Sequence, residues 1–292
     1  MDNSISEAAE ILTDPDFFRA AVNFTAQRTG FAARLIEKDY FCSMLLEYLA
    51  SASKDLVFKG GTCLAKVYAG FYRLSEDLDF VIPMSINAKR IERSKKAGIL
   101  RHVVADMAAQ LPAFRMIQPL KGANSSTQYI AVVGYMSLAS RQSETIKIEV
   151  GLREPLLTAA QMELASAILL NPVSDRTLLN PISLRCISKM EAFAEKFRAA
   201  LTRRDVAIRD FYDIDYALRK LDLPIDDREF IRLVKQKLSV PGNPQVDVSH
   251  PRLEVLRQQL EGQLRPVLRE KDYSDFDPER AIRTVIGMAR KL

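Results

Sequence analysis

The chain is 292 residues long, 48% hydrophobic and 27% charged. That is enough for one large domain or two modest ones, and it is the composition of an ordinary globular protein rather than a disordered or fibrous one. A net charge of +5 is compatible with an anionic partner such as RNA without requiring one, and three scattered cysteines with two histidines exclude a disulfide framework or a histidine-rich zinc site.

Residues 1–7 show neither the basic start nor the apolar run of a secretory signal. The most hydrophobic stretches, such as residues 130–138, fall well short of the roughly 20 residues a membrane helix needs. A cytoplasmic protein is expected, with Cys42, Cys63 and Cys186 as buried reduced thiols and His102 and His250 at surface positions. Residues 5–51 read as helices: Asp14-Pro15 is a start signal and Thr29-Gly30 a stop. Phe41, Met44, Leu45 and Tyr48 form an apolar stripe at helical spacing, and Lys38 and Asp39 sit one turn before it as a solvated pair.

The apolar run Leu56-Val57-Phe58 then reads as a short buried strand, followed by Gly60-Gly61 and a helix over residues 62–69. Two glycines at the mouth of a helix can cradle phosphate oxygens, because bare N–H groups and the positive helix end point the same way. A plain turn is the alternative. Asp77-Leu78-Asp79 arrives some residues later and leads into a second apolar run. Residues two apart on a strand share a face, so Asp77 and Asp79 would project side by side while Leu78 and Phe80 enter the core. Paired carboxylates repel unless a cation lies between them, and hard oxygen donors near a phosphate cradle suit Mg²⁺ or Mn²⁺. The chemistry implied is phosphoryl or nucleotidyl transfer.

A polar helix follows at about residues 87–110. It carries six basic residues between Lys89 and Arg101 against one acid, Glu92, so this run alone equals the charge excess of the whole chain. It reads as a solvated face or as a surface that tracks an RNA backbone. Residues 129–133 and 145–150 read as an antiparallel hairpin across the polar turn at 140–143. One further strand is expected at residues 163–170 and a domain boundary near Pro181, giving domains 1–180 and 181–292. Beyond that boundary the pattern is helical, with Leu184, Ile187, Ala194, Phe197 and Leu201 as one stripe and Lys189 and Lys196 on another face. A further helix carries Arg209, Asp210 and Asp213, with Arg209 able to pair with Asp213 or Asp205. Helices at about 226–239, 251–270 and 277–291 complete the chain.

The wording Lys59-Gly60-Gly61-Thr62-x-Leu64-x-Lys66, followed by Arg73-x-Ser75-Glu76-Asp77-Leu78-Asp79-Phe80, resembles the nucleotidyltransferase toxins of the AbiEii type, including MenT-like enzymes, within the polymerase-beta-like superfamily. The resemblance extends upstream to Glu37-Lys38-Asp39-Tyr40, where it implies that Lys38 and Asp39 buttress the active site, and downstream through Lys189 to Arg209-Asp210-Phe211-Tyr212-Asp213.

It implies an α+β fold: a nucleotidyltransferase palm with a mixed or antiparallel sheet flanked by helices, followed by a C-terminal helical lobe. It implies that Asp77 and Asp79, with Glu149 as third carboxylate on a neighbouring strand, hold Mg²⁺ or Mn²⁺. Gly60, Gly61, Thr62 and Ser75 would face the nucleoside triphosphate, and Arg73 and Lys189 would neutralise the leaving pyrophosphate. Asp210 would act as a second active-site carboxylate that orients Lys189 or accepts a proton. The acceptor implied is the tRNA 3′ end, with another RNA, a protein or a small molecule as alternatives, and growth arrest relieved by a cognate antitoxin as the effect. A silent nucleotide- or nucleic-acid-binding regulator is the reading from another class. Ser75 lies two residues before Asp77, so phosphorylating it would put negative charge among the metal carboxylates and block nucleotide binding.

Overall fold

The computed structural model describes residues 8–292. The segment 1–7 and the start of the helical reading at residue 5 lie outside the described residues. Helix α1, Pro15–Thr29, begins where Asp14 accepts a hydrogen bond from the Phe17 amide (3.0 Å) and ends at Gly30 in the left-handed conformation (φ 80), as the Asp-Pro and Thr-Gly signals predict. Helix α2, Ala33–Ala52, is buried on nearly every side, Glu37, Lys38 and Asp39 included. Charged groups taken out of water need partners, and these three are supplied with them, as described below.

Strand β1 is Val57–Lys59 and β2 is Leu78–Val81. Between them, α3 (Gly60–Cys63) winds directly into a π-turn over Leu64–Tyr68. After α4, Arg90–Gln110, come β3 (Phe114–Ala123), β4 (Gln128–Met136), β5 (Ser143–Gly151), β6 (Gln161–Ala165) and β7 (Ile182–Cys186). The seven strands form one mixed sheet in the order β3-β4-β5-β2-β1-β7-β6. Pairs β2–β5 and β1–β7 are parallel and the remaining pairs antiparallel. The expected hairpin is β4–β5. Phe41 of α2 stacks on Tyr135 of β4 at 3.9 Å between centroids and meets Phe114 of β3 edge-on at 5.6 Å, while Phe58 and Phe80 pack together at 5.4 Å under β1 and β2. The fold is α+β, a mixed sheet flanked by helices.

Three local readings change: the helix expected at about 251–270 is α-helical over His250–Gln259 only, then continues as a π-turn over Leu260–Leu264 and a 3-10 turn over Arg265–Val267. The strand expected at 163–170 is β6, Gln161–Ala165, and the helical stripe expected to start at Leu184 is strand β7 until Cys186. Ile182, Leu184 and Cys186 are buried and alternate with exposed Ser183 and Arg185. That is period two, and joining Leu184 to Ile187 hid it behind an apparent helical spacing.

The chain divides into two compact units, one running up to Leu156 with Ala160–Cys186, the other comprising Leu157–Ala159 with Ile187–Leu292. The second unit is helical: α5 (Lys189–Thr202), α6 (Ile208–Lys220), α7 (Arg228–Leu238), α8 (His250–Gln259), α9 (Glu270–Ser274) and α10 (Pro278–Ala289). Phe197 meets Phe230 at 5.7 Å, and Tyr212 meets Phe276 at 5.4 Å. Buried Glu191 accepts the amides of Leu157 and Thr158 (2.9 and 2.8 Å) and pairs with buried Lys237 (2.7 Å). Among the described residues no helix is long and apolar enough to cross a membrane.

Candidate active site

The centre of the sheet sets out the acidic residues. Lys59 at the end of β1 is in register with Asp79 of β2, and Asp79 is in register with Glu149 of β5. Register partners on adjacent strands share a face, so these three side chains lie in line across the sheet. Asp77 falls one residue before β2, in the loop, rather than on the strand itself. Lys147 and Glu149 alternate on β5 and so also share a face. The Lys147 ammonium lies 3.6 Å from Asp77 Oδ2 and 3.3 Å from Glu149 Oε2, and Gln128 Nε2 donates to Glu149 Oε1 at 2.6 Å.

Burial, reinforced by the neighbouring charges of Glu149 and Asp77, pushes the Asp79 carboxyl up to about 6, with Lys59 and Lys147 opposing. Desolvation alone would lower Lys147, but Asp77, Glu149 and Asp79 outweigh it and hold the amine above its ordinary value. These are the responses of a carboxylate cluster short of positive charge.

The glycine turn is built against this cluster. Gly60 adopts φ +78, and a Cβ there would lie 2.3 Å from Asp79 Oδ2. Thr62 donates its hydroxyl to the Asp77 carbonyl at 2.5 Å. A Cβ at Gly61 would meet the Arg73 guanidinium at 2.3 Å. Arg73 itself is 2% exposed, with its guanidinium 5.6 Å from the Tyr72 ring centroid, so it backs the turn from inside the protein. Ser75 is partly exposed in the loop before β2.

The buried charges of α2 hold both sides of this arrangement. Lys38 donates to Glu76 (2.8 Å), next to Asp77, with Arg34 reaching the same carboxylate at 3.1 Å. Burial alone would raise Glu76, but Lys38 and Arg34 prevail and its carboxyl sits below the ordinary range. Asp39 pairs with Lys66 of the π-turn at 2.7 Å, both buried, and Lys66 also donates to Ser43 Oγ at 2.8 Å. Glu37 accepts from the Ser137 hydroxyl (2.6 Å) and the Leu138 amide (2.7 Å), closing the β4–β5 turn. Lys38 and Asp39 thus act as buttresses on two different elements.

In the second unit, Lys189 donates to the Leu221 carbonyl at 3.2 Å. Asp210 is oriented by Lys196 (2.7 Å) and Arg203 (3.2 Å), and Lys196 also holds fully buried Asp213 at 2.8 Å. The expected partnerships of Asp210 with Lys189, and of Arg209 with Asp213, give way to Lys196, two turns further along α5, which pairs with both aspartates. Lys59, Lys66, Gln128 and Lys147 were missed as site residues by sequence reasoning. The signal for Lys147 was its alternation with Glu149. The other three depend on pairings between distant segments. His102 and His250 are exposed, and Cys42, Cys63 and Cys186 are buried free thiols.

A sequence profile described as nucleotidyl transferase AbiEii toxin, type IV toxin–antitoxin system, matches residues 45–284. The chain belongs to the AbiEii nucleotidyl transferase toxin family. No curated protein sequence matches it. Among solved structures, JHP933 from Helicobacter pylori is 17% identical with a TM-score of 0.47, over 86% of this chain and 90% of that one. A candidate nucleotidyltransferase from H. pylori is 17% identical with a TM-score of 0.44, over 85% and 91%.

As an AbiEii protein the chain is a nucleotidyltransferase of a toxin–antitoxin system, with a nucleoside triphosphate as substrate and an antitoxin as partner. Among the described residues no three His, Cys, Asp or Glu side chains form a ready-made metal cage. Asp77 and Glu149 converge instead on the Lys147 ammonium. Their donor chemistry, all carboxylate oxygen with a cation already drawn in, nevertheless suits a hard divalent ion.

Proposed function

We propose that this AbiEii enzyme transfers a nucleoside monophosphate from a nucleoside triphosphate to a hydroxyl of the tRNA 3′ end, in the cytoplasm, and thereby arrests growth until its antitoxin intervenes. The observation that carries the reading is the line Lys59–Asp79–Glu149 across β1, β2 and β5, with Gly60 pressed against the Asp79 carboxylate. A phosphate seated on the glycine turn would lie beside the carboxylates that hold its counter-ion.

Asp77 and Asp79, with Glu149, would hold Mg²⁺ or Mn²⁺, which when bound neutralises triphosphate charge and favours in-line displacement. Gly60 keeps the turn clear for the nucleotide, and Gly61 and Thr62 continue its floor. Arg73, buried behind the turn, fixes its shape and adds positive potential from below. Ser75 lies in the loop before β2, two residues from Asp77, so a phosphate on it would put negative charge among the metal carboxylates and oppose nucleotide binding. The acceptor hydroxyl forms a new P–O bond to the α-phosphorus, and the bond to the β-phosphate breaks with loss of pyrophosphate. The mildly basic surface of α4, where Lys89, Arg90, Lys95 and Arg101 are exposed or partly so, suits an RNA backbone.

The test is incubation of the purified protein with each α-labelled nucleotide, Mg²⁺ or Mn²⁺, and total RNA. Label in tRNA, with a mass increment at its 3′ end that Asp77→Ala abolishes, is the expected result. Label confined to another RNA, a protein or a small product would replace the acceptor. Full transfer by Asp77→Ala would remove the site.

A further inference from the structure

We propose that Lys147 is the built-in counter-ion of this site: before metal binds, its ammonium holds Asp77 and Glu149 together, and metal entry is an exchange of one cation for another. The inference rests on the reading of Asp77, Asp79 and Glu149 as metal ligands given above.

Lys147 reaches this position through sheet geometry rather than by chance of a flexible side chain. The β4–β5 ladder pairs Val132 with Lys147 and Ile130 with Glu149, and β2 pairs Asp79 with Glu149. Register therefore puts Lys147, Glu149 and Asp79 on one face of the sheet, and Asp77, in the loop just before β2, meets the same ammonium at 3.6 Å. Glu149 is aimed as well: Gln128 holds Oε1 at 2.6 Å, leaving Oε2 to face the ammonium at 3.3 Å.

A solvated lysine on an open strand would have no reason to sit between two acids from different elements. Nor is Lys147 wedged in place, since its side chain is 39% exposed and those of Asp77 and Glu149 are 41% and 30% exposed. Contacts this exposed are individually weak, so a divalent ion can displace the ammonium, but only by competing with it. Three carboxylates with no counter-ion would repel one another, and the tethered cation keeps them grouped in the meantime. Lys147 is thus a positioning residue for the metal ligands.

The experiment is a Mn²⁺ titration followed by electron paramagnetic resonance on nucleotide-free protein: wild type, Lys147→Gln, Lys147→Met and Asp77→Asn. Both Lys147 variants should bind Mn²⁺ about five- to tenfold more tightly than wild type, the equivalent of removing two exposed ion contacts. The gain should shrink in about 0.5 M KCl, as salt screens exposed ion contacts. In EDTA the same variants should melt below wild type and recover more on adding Mn²⁺. Unchanged or weaker Mn²⁺ binding by both Lys147 variants at low salt would overturn the inference. Asp77→Asn separates the two failures: if it binds Mn²⁺ as wild type does, the metal-ligand reading itself falls.

Discussion

Gly60 and Asp79 compete for the same space. A Cβ on Gly60 would stand 2.3 Å from Asp79 Oδ2 and 2.8 Å from Asp79 Cβ, and the glycine holds φ +78. The turn and the acidic strand are therefore fitted to each other, and neither can be altered alone.

Gly60→Ala should therefore do two things. The left-handed backbone costs about 1–2 kcal/mol for an L side chain, and the new methyl displaces the Asp79 carboxylate. A shift of this kind at a reacting centre lowers turnover by about 100-fold or more. Gly70 provides the control, having φ +56 but nothing within 4 Å of its Cβ position. Gly70→Ala should show similar strain in urea melts while keeping transfer within about twofold of wild type. Equal loss of activity in both variants would mean that backbone strain, not the Asp79 contact, is responsible.

Asp79 should also stabilise the fold by its removal. Its folded pKa of about 6 lies above the ordinary aspartate value of 3.8. The native state then holds more protons than the unfolded chain between those two values, and stability falls as pH rises through that window. In EDTA, Asp79→Asn should exceed wild-type stability at pH 7.5 by about 1–2 kcal/mol after allowance for solvent screening. The difference should close by about pH 4, as read from urea unfolding at each pH.

The ion pair between Asp39 and Lys66 ties α2 to the π-turn that follows the glycines, with both side chains at most 4% exposed and 2.7 Å apart. Breaking a buried pair from one side leaves a charge stripped of its partner, at a cost of roughly 3–5 kcal/mol. Asp39→Asn and Lys66→Met should each lose that much, whereas the double variant should lose less than the sum. A double-mutant cycle by urea unfolding measures the coupling. Strict additivity would show that the two residues act separately.

What the sequence makes legible follows physical range. Asp14 and Gly30 bound α1 because caps act within one turn, and Gly60, Gly61, Asp77 and Asp79 are readable because a turn and a strand face are local patterns. Lys66 with Asp39, Gln128 with Glu149, and Lys38 with Glu76 join segments 21 to 38 residues apart, and no local spacing encodes such partners. Strand β7 was obscured because five residues of period two run into an amphipathic helix, and the shared apolar positions Leu184 and Ile187 fit both periods. Glu37, Lys38 and Asp39 sit in the buried stretch of α2 from Leu35 to Leu46, so a charged run there marks paired charges rather than a solvated face.

The same limit applies to the choice between Lys189 and Lys196, which sequence spacing leaves on one helical face and which differ in the fold by their partners. Lys189 meets the Leu221 carbonyl, whereas Lys196 meets Asp210 and Asp213 at 2.7 and 2.8 Å. Lys189→Met loses one hydrogen bond and should lower stability by about 1 kcal/mol. Lys196→Met takes the ammonium from fully buried Asp213 and should lower it by roughly 3 kcal/mol, with partial recovery in Lys196→Met/Asp213→Asn. Nucleotide transfer then tells which lysine belongs to the chemistry. A residue with a purely structural role regains activity when stability is restored, so rescue of transfer in the double variant would make Lys196 a scaffold. Persistent loss of transfer in a refolded, stable double variant, with Lys189→Met active, would assign the reaction's lysine to Lys196 and its orienting carboxylate to Asp210.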